Sequence, residues 1–257
     1  MKVKNHKTIT RLAIELCKDR LSQEILENKE YIIQGAWDED TTQLISRALN
    51  WHFYRANTSP IPKKIRNLFN PTSENIFQRR VNEFYNFKKD TQRFNSLGRI
   101  VHHIQDMCTP SHVIPIYHGP ELPVKFSKQV IDDYLEDFME IHDKDINLID
   151  LQIPEIDNSD NLYSIYHNTA EKTLNSILKI HLPVSQRPYS HFWKHYTEEE
   201  FSKFSGFGVF GENHELFNNY SEREEQELLK IQKLITKHAI ISTAKILLFV
   251  SKYNNNL

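Results

Sequence analysis

Apolar side chains in the first segment fall at Ile9, Leu12, Ala13 and Leu16, a three- and four-residue spacing that gathers them on one side of a helix. The same period runs through 74–107, at Ile76, Val81, Phe84, Phe87, Phe94, Leu97, Ile100, Val101 and Ile104, and predicts helix across that stretch. Val130, Tyr134, Leu135 and Phe138 predict another helix, and Tyr163, Tyr166, Ala170, Leu174, Ile177 and Leu178 a further one. The last, about 222–252, carries Leu228, Ile231, Leu234, Ile235, Ala239, Ile241, Ala244, Leu248 and Val250, enough apolar positions for a buried helix. Breakers lie between these stripes: prolines cluster at 60–71, 110–123 and 183–188, and four of the six glycines lie at 119 or later. The pattern predicts an all-α protein, one domain over residues 1–257, with a few long loops. Pro110 is expected to end the helix before it.

Composition narrows this picture. A chain of 257 residues, 39% apolar and 11% aromatic, can bury a sizeable core and is not of disordered type. A net charge of −2 gives no support to a strong polyanion binder. The two cysteines, Cys17 and Cys108, are far apart and imply no disulfide framework. No apolar run looks long enough to span a membrane, so no transmembrane segment is expected. The start, MKVKNHKTITRLAIELC, lacks the sustained apolar core of a signal peptide. Compartment therefore stays open between the cytoplasm and export by a route that needs no such signal.

The candidate chemistry centres on HHIQDMCTPSH, residues 102–112. His102 and Asp106 are four apart and share a helix face, and His112 follows the proline. A single histidine on an apolar helix is usually a core residue, so the set carries the signal. His6 opens the first helix, GAWDED places Asp38, Glu39 and Asp40 beside a glycine, and His52 precedes Phe53 and Tyr54. Asp132 and Glu136 stand one turn apart in DDYLEDF. Imidazole nitrogen with carboxylate oxygen and no thiolate suits zinc in a hydrolytic site. There is no G-x-S-x-G elbow and no phosphate-cradling G-x-x-x-x-G-K-[ST] loop, and Cys108 has no distinct activating context.

LGRIVHHIQDMCTPSH resembles the H-x-x-x-D, Pro, His signature of the bacterial zinc-dependent phospholipases C, shared with the single-strand-specific zinc nucleases. HKTITRLAIELC, GAWDED, the HFY stretch and DDYLEDF resemble that family's other ligand-bearing segments, in the same order. The resemblance implies up to three zinc ions. Asp40, His52, His102 and Asp106 would hold the first, with Asp38 in reserve for Asp40. Asp106 would bridge to a second, held by His6 and by the amine and carbonyl of Met1. His112 and Glu136 would hold the third. Two departures stand out: residue 1 is Met where the family has a tryptophan, and Asp132 stands where the family has a histidine. Either Asp132 substitutes or His118 reaches in.

The implied activity is phosphodiester hydrolysis, with Asp40 as candidate general base or orienter of the attacking water, and His103 in a supporting or structural place. A phospholipase C acting on phosphatidylcholine-like lipid is favoured, through transient contact with a membrane surface. Phe53, Tyr54 and Phe207 are candidate substrate contacts, the last in the phenylalanine-rich stretch 201–217, which could equally pack on the core. Nucleic acid is the less favoured substrate, and Lys63, Lys64, Arg66, Arg79 and Arg80 are the basic residues it would need. A third reading is a catalytically degenerate module that uses its metals as staples; scarcity of cysteine speaks against it.

Overall fold

A computed structural model describes residues 3–41, 54, 73–113, 141, 146–153, 155–183, 186, 188–189, 193–194, 209–210 and 222–253. Among these the chain is helical: α1 Val3–Cys17, α2 Gln23–Glu27, α3 Lys29–Thr41, α4 Ser73–Asn86, α5 Asp90–Asp106, α6 Pro110–Val113, α7 Leu162–Asn175 and α8 Glu222–Tyr253. Short 3-10 turns follow α1 and α7. One two-residue antiparallel ribbon pairs Trp193 with Phe210 and Lys194 with Val209, and leaves the all-α class intact. The helix expected over 130–138 lies outside the described residues.

α5 is the central element, packed against α3, α4 and α8, while α1 lies on α3 and α8. Its residues Phe94, Leu97, Ile100, Val101 and Ile104 are fully buried. Each such side chain contributes about 1.5–3 kcal/mol by leaving water. They join Ile9, Ala13, Phe77, Phe84, Tyr166, Ile240 and Leu247 in one apolar cluster.

Three expectations need correction. The apolar period continues from Phe84 to Phe94, but the helix does not: α4 ends at Asn86 and α5 begins at Asp90. Lys89, extended at φ −92° and ψ 125°, separates the two. Pro110 does not end the preceding helix, which stops at Asp106; it opens α6. That is the place a proline suits, because its missing N–H would have no partner there. Lastly, Leu229–Tyr253 is long and apolar enough to cross a membrane by length and composition alone, and 78% of that window is buried inside the protein. A core helix passes the same test.

α3 and α5 approach closely at two glycines. A Cβ built on Gly35 would overlap the Asn95 carbonyl, and one on Gly98 would overlap that of Ile32. The two main chains touch at this crossing, and glycine is what lets them. What lies one turn further along each helix is set by that contact.

Candidate metal centre

From Gly98, steps of four along α5 lead to His102 and then Asp106; from Ala36 on α3, one such step leads to Asp40. The helices are close enough at this point for His102 Nδ1 to lie 3.0 Å from the Ala36 carbonyl oxygen. A carbonyl only accepts, so Nδ1 carries the hydrogen and neutral His102 presents a lone pair on Nε2. That Nε2 lies 3.1 Å from Asp106 Oδ2 and 3.6 Å from Asp40 Oδ1.

His6 arrives from α1. Its ring stacks on that of His102 with centroids 3.9 Å apart. Its Nε2 lies 3.6 Å from Asp106 Oδ1 and 3.9 Å from Asp40 Oδ2. The atom is buried and makes no hydrogen bond among the described residues. His112, on α6, brings its Nε2 to 3.4 Å from Asp106 Oδ1. One donor atom each from His6, Asp40 and His102 lie within 4.8 Å of one another.

Apart from the 3.1 Å His102–Asp106 contact, which a hydrogen bond also fits, these distances suit a common cation better than hydrogen bonds. Around a tetrahedral zinc with bonds of about 2.0–2.1 Å, neighbouring donor atoms lie about 3.3 Å apart. The histidine–carboxylate separations here, 3.1–3.9 Å, bracket that edge. Two carboxylates and three imidazoles in one buried place also need positive charge. Without a metal, a proton on an imidazole can supply part of it. Burial and the neighbouring His102 push His6 down to about 3, against the pull of Asp106 and Asp40. For His102, burial works downward too, but Asp106 and Asp40 outweigh it and raise the ring to about 9. A metal-free site therefore keeps one proton, on His102, where an ion would displace it.

Beside this group lies a second one. Glu39 is buried and accepts from Arg80 Nε at 3.1 Å and Nη2 at 2.9 Å, and from Arg99 Nη1 at 3.0 Å. His103 Nε2 lies 3.3 Å from the same carboxylate, and its Nδ1 is 3.3 Å from Ser73 Oγ. Burial works against the Glu39 anion, but His103 and Arg80 hold its carboxyl well below the usual range. His103 is thus a structural residue. Arg80 is buried against Glu39, while Arg79 pairs with Glu83 and keeps a largely exposed side chain.

Of the expected site residues, the structure brings together His6, Asp40, His102, Asp106 and His112. Asp38 is set aside: its oxygens accept from Gln34 Nε2 at 2.7 Å and Asn95 Nδ2 at 2.8 Å. Tyr54 is a core residue, with its N–H donating to the His112 carbonyl at 2.8 Å and its hydroxyl 3.1 Å from His167 Nδ1. Met1, His52, Phe53, His118, Asp132, Glu136 and Phe207 lie outside the described residues. Sequence reasoning missed Gln105, whose amide lies 2.7 Å from His6 Nδ1. The only signal was its place on the turn between His102 and Asp106.

What the fold and site define together is a helical protein whose buried His6–Asp40–His102 group could hold a metal ion. No family model, no curated protein and no solved structure matches the chain.

Proposed function

We propose that the protein is a zinc-dependent phosphodiester hydrolase that cleaves the glycerol–phosphate bond of phosphatidylcholine-like lipids. The observation that supports it most is the donor set: His6 and His102 Nε2 face the Asp40 and Asp106 carboxylates at metal-ligand spacing. Nitrogen and oxygen donors of this kind belong to hydrolytic rather than structural zinc. The resemblance of 97–112 to the phospholipase signature supplies the substrate class.

His6, Asp40, His102 and Asp106 would hold the ion, with His112 and Asp106 reaching toward a neighbouring one. His52, Met1 and Glu136, with Asp132 or His118, would complete a set of up to three. Zinc bound there would supply Lewis acidity, bringing water near a pKa of about 7 and offsetting charge on the phosphoryl oxygens. The protein's own part is positioning and proton transfer. Asp40 is the more exposed of the two carboxylates, 13% against 1% for Asp106, and so the one to take the proton from the attacking water. Asp106, with its oxygens facing three imidazoles, orients the histidines.

The test is phosphocholine release from phosphatidylcholine vesicles by untagged protein, alone, with a chelator, and with zinc restored. Release should vanish with the chelator and return with zinc. Asp106→Asn should keep its helical circular dichroism and lose turnover by roughly 100-fold or more, as when one transition-state stabilising group is removed. Release that survives chelation sinks the zinc reading. Hydrolysis of a single-stranded oligonucleotide and not of vesicles moves the substrate to nucleic acid. Inertness of folded, zinc-loaded protein toward both leaves no hydrolase to defend.

A further inference from the structure

We infer that Gln105 is a positioning residue for the metal centre: its side-chain carbonyl fixes His6 in the one tautomer that turns an Nε2 lone pair toward Asp40 and Asp106. The inference rests on the zinc reading above and goes beyond it, because it assigns a role to a residue that binds no metal.

The hydrogen-bond directions follow from one unambiguous acceptor. Thr10 Oγ1 lies 2.7 Å from the His6 backbone carbonyl, which can only accept, so the Thr10 hydroxyl hydrogen is committed there. Gln105 Nε2 lies 3.0 Å from that same Thr10 oxygen and 3.2 Å from Thr243 Oγ1. With its hydrogen spent, Thr10 can only accept from Gln105. The amide NH2 must therefore face the two threonines. Turned the other way, the Gln105 carbonyl would meet a lone pair of Thr10, a repulsive contact in a fully buried place.

Gln105 Oε1 is then the atom 2.7 Å from His6 Nδ1. It has no hydrogen to give, so the histidine must donate, and neutral His6 carries its hydrogen on Nδ1. The opposite nitrogen, Nε2, is left as a lone pair, and it is the atom facing both carboxylates. His102 reaches the same tautomer through the Ala36 carbonyl. The two stacked rings thus arrive by different acceptors at the same state. A second-layer carbonyl behind a ligand imidazole also raises its basicity and holds its plane, and losing such a partner typically costs about 10–100-fold in metal affinity.

The chain of bonds has a further reach. Thr10 lies on α1, Gln105 on α5 and Thr243 on α8, so three helices converge on one amide. A purely structural reading would make Gln105 a polar rivet among them. The experiment must therefore separate tautomer from packing.

The first measurement needs no variant: 15N chemical shifts of the His6 ring in zinc-free, full-length protein above pH 7. The expected result is a protonated Nδ1 and an unprotonated Nε2. The reverse tautomer would overturn the inference without touching the zinc reading, which the chelator experiment decides separately. The second compares zinc affinity, by chelator competition, in Gln105→Leu, Gln105→Glu and Thr243→Val. Gln105→Leu should weaken zinc by about 10–100-fold. Gln105→Glu keeps an acceptor for Nδ1–H and, as a buried carboxylic acid, can still donate to Thr10 through its other oxygen, so it should recover most of that loss. Thr243→Val loosens the same junction but leaves Oε1 in place, and should change zinc affinity by less than about threefold. Should Thr243→Val weaken zinc as much as Gln105→Leu does, packing explains the effect and the tautomer role falls. If Gln105→Leu does not fold, the wild-type tautomer and the Gln105→Glu to Thr243→Val contrast still decide.

Discussion

Two histidine–carboxylate groups sit side by side on the same pair of helices and have opposite character. Asp40 and His102 belong to one; their chain neighbours Glu39 and His103 belong to the other. Glu39 is met by two guanidinium groups, so its charge is balanced within the protein. Asp40 and Asp106 are met by the imidazole nitrogens of His6, His102 and His112, which offer lone pairs or, at most, a shared proton. Residue type does not separate the groups. Among the described contacts, what separates them is the arginine: guanidinium groups meet Glu39, while imidazoles at metal-ligand spacing face Asp40 and Asp106.

The difference can be attacked where it is strongest. Glu39→Ala leaves buried Arg80 without its main anion and should destabilise the fold by about 3–5 kcal/mol, read from chemical denaturation. The loss should be the same with zinc or with a chelator; a loss that zinc cancels would mean the two groups are one. Gly98→Ala comes next. Alanine favours a helix over glycine by about 1 kcal/mol, but here its Cβ overlaps the Ile32 carbonyl. The helices must part, and the net loss should be about 2–3 kcal/mol, with weaker zinc binding because both groups hang from this crossing.

Acidity separates the groups more gently. In zinc-free protein His102 is raised to about 9, so the stability it brings is complete below its unfolded value of 6.5 and is lost as pH climbs through 9. His6, lowered to about 3, contributes above 6.5 and loses that contribution as pH falls toward 3. The melting temperature of chelated protein should therefore peak near pH 6.5, and zinc affinity should rise from there to pH 9 as the His102 proton is displaced. Glu39, held low, should matter only in acid, losing its contribution as pH falls below the usual carboxylate range. A zinc affinity flat between pH 6.5 and 9 would break this account. The smallest effect belongs to Asp38→Asn. It accepts from two amides, so stability should change by less than about 0.5 kcal/mol and zinc affinity not at all.

The three successive carboxylates Asp38, Glu39 and Asp40 show where sequence reading stops. Each helical step turns about 100°, so they point to three environments: amides, arginines and histidines. The apolar stripes drawn along the sequence did not include α3, and only the resemblance favoured Asp40. His102 and Asp106 were legible because their spacing is local. Glu39 and Arg80 were not, since their meeting depends on how α3, α4 and α5 pack. The break at 87–89 was hidden for another reason: Phe84, Phe87 and Phe94 keep a helical period across it. Gly35 and Gly98 gave a signal that could have been used. Two glycines at helix-interior positions, in a chain with six in all, mark a close crossing.

That crossing fixes the spacing of the helices that carry Asp40, His102 and Asp106 by main chain rather than by side chains. Because the backbones of α3 and α5 already touch, shortening or exchanging a donor at position 40 or 106 would not let the helices slide together to compensate. Chemical identity and spatial frame are thereby independent. A softer or harder donor at either position would alter the chemistry offered there while the backbone frame stays put.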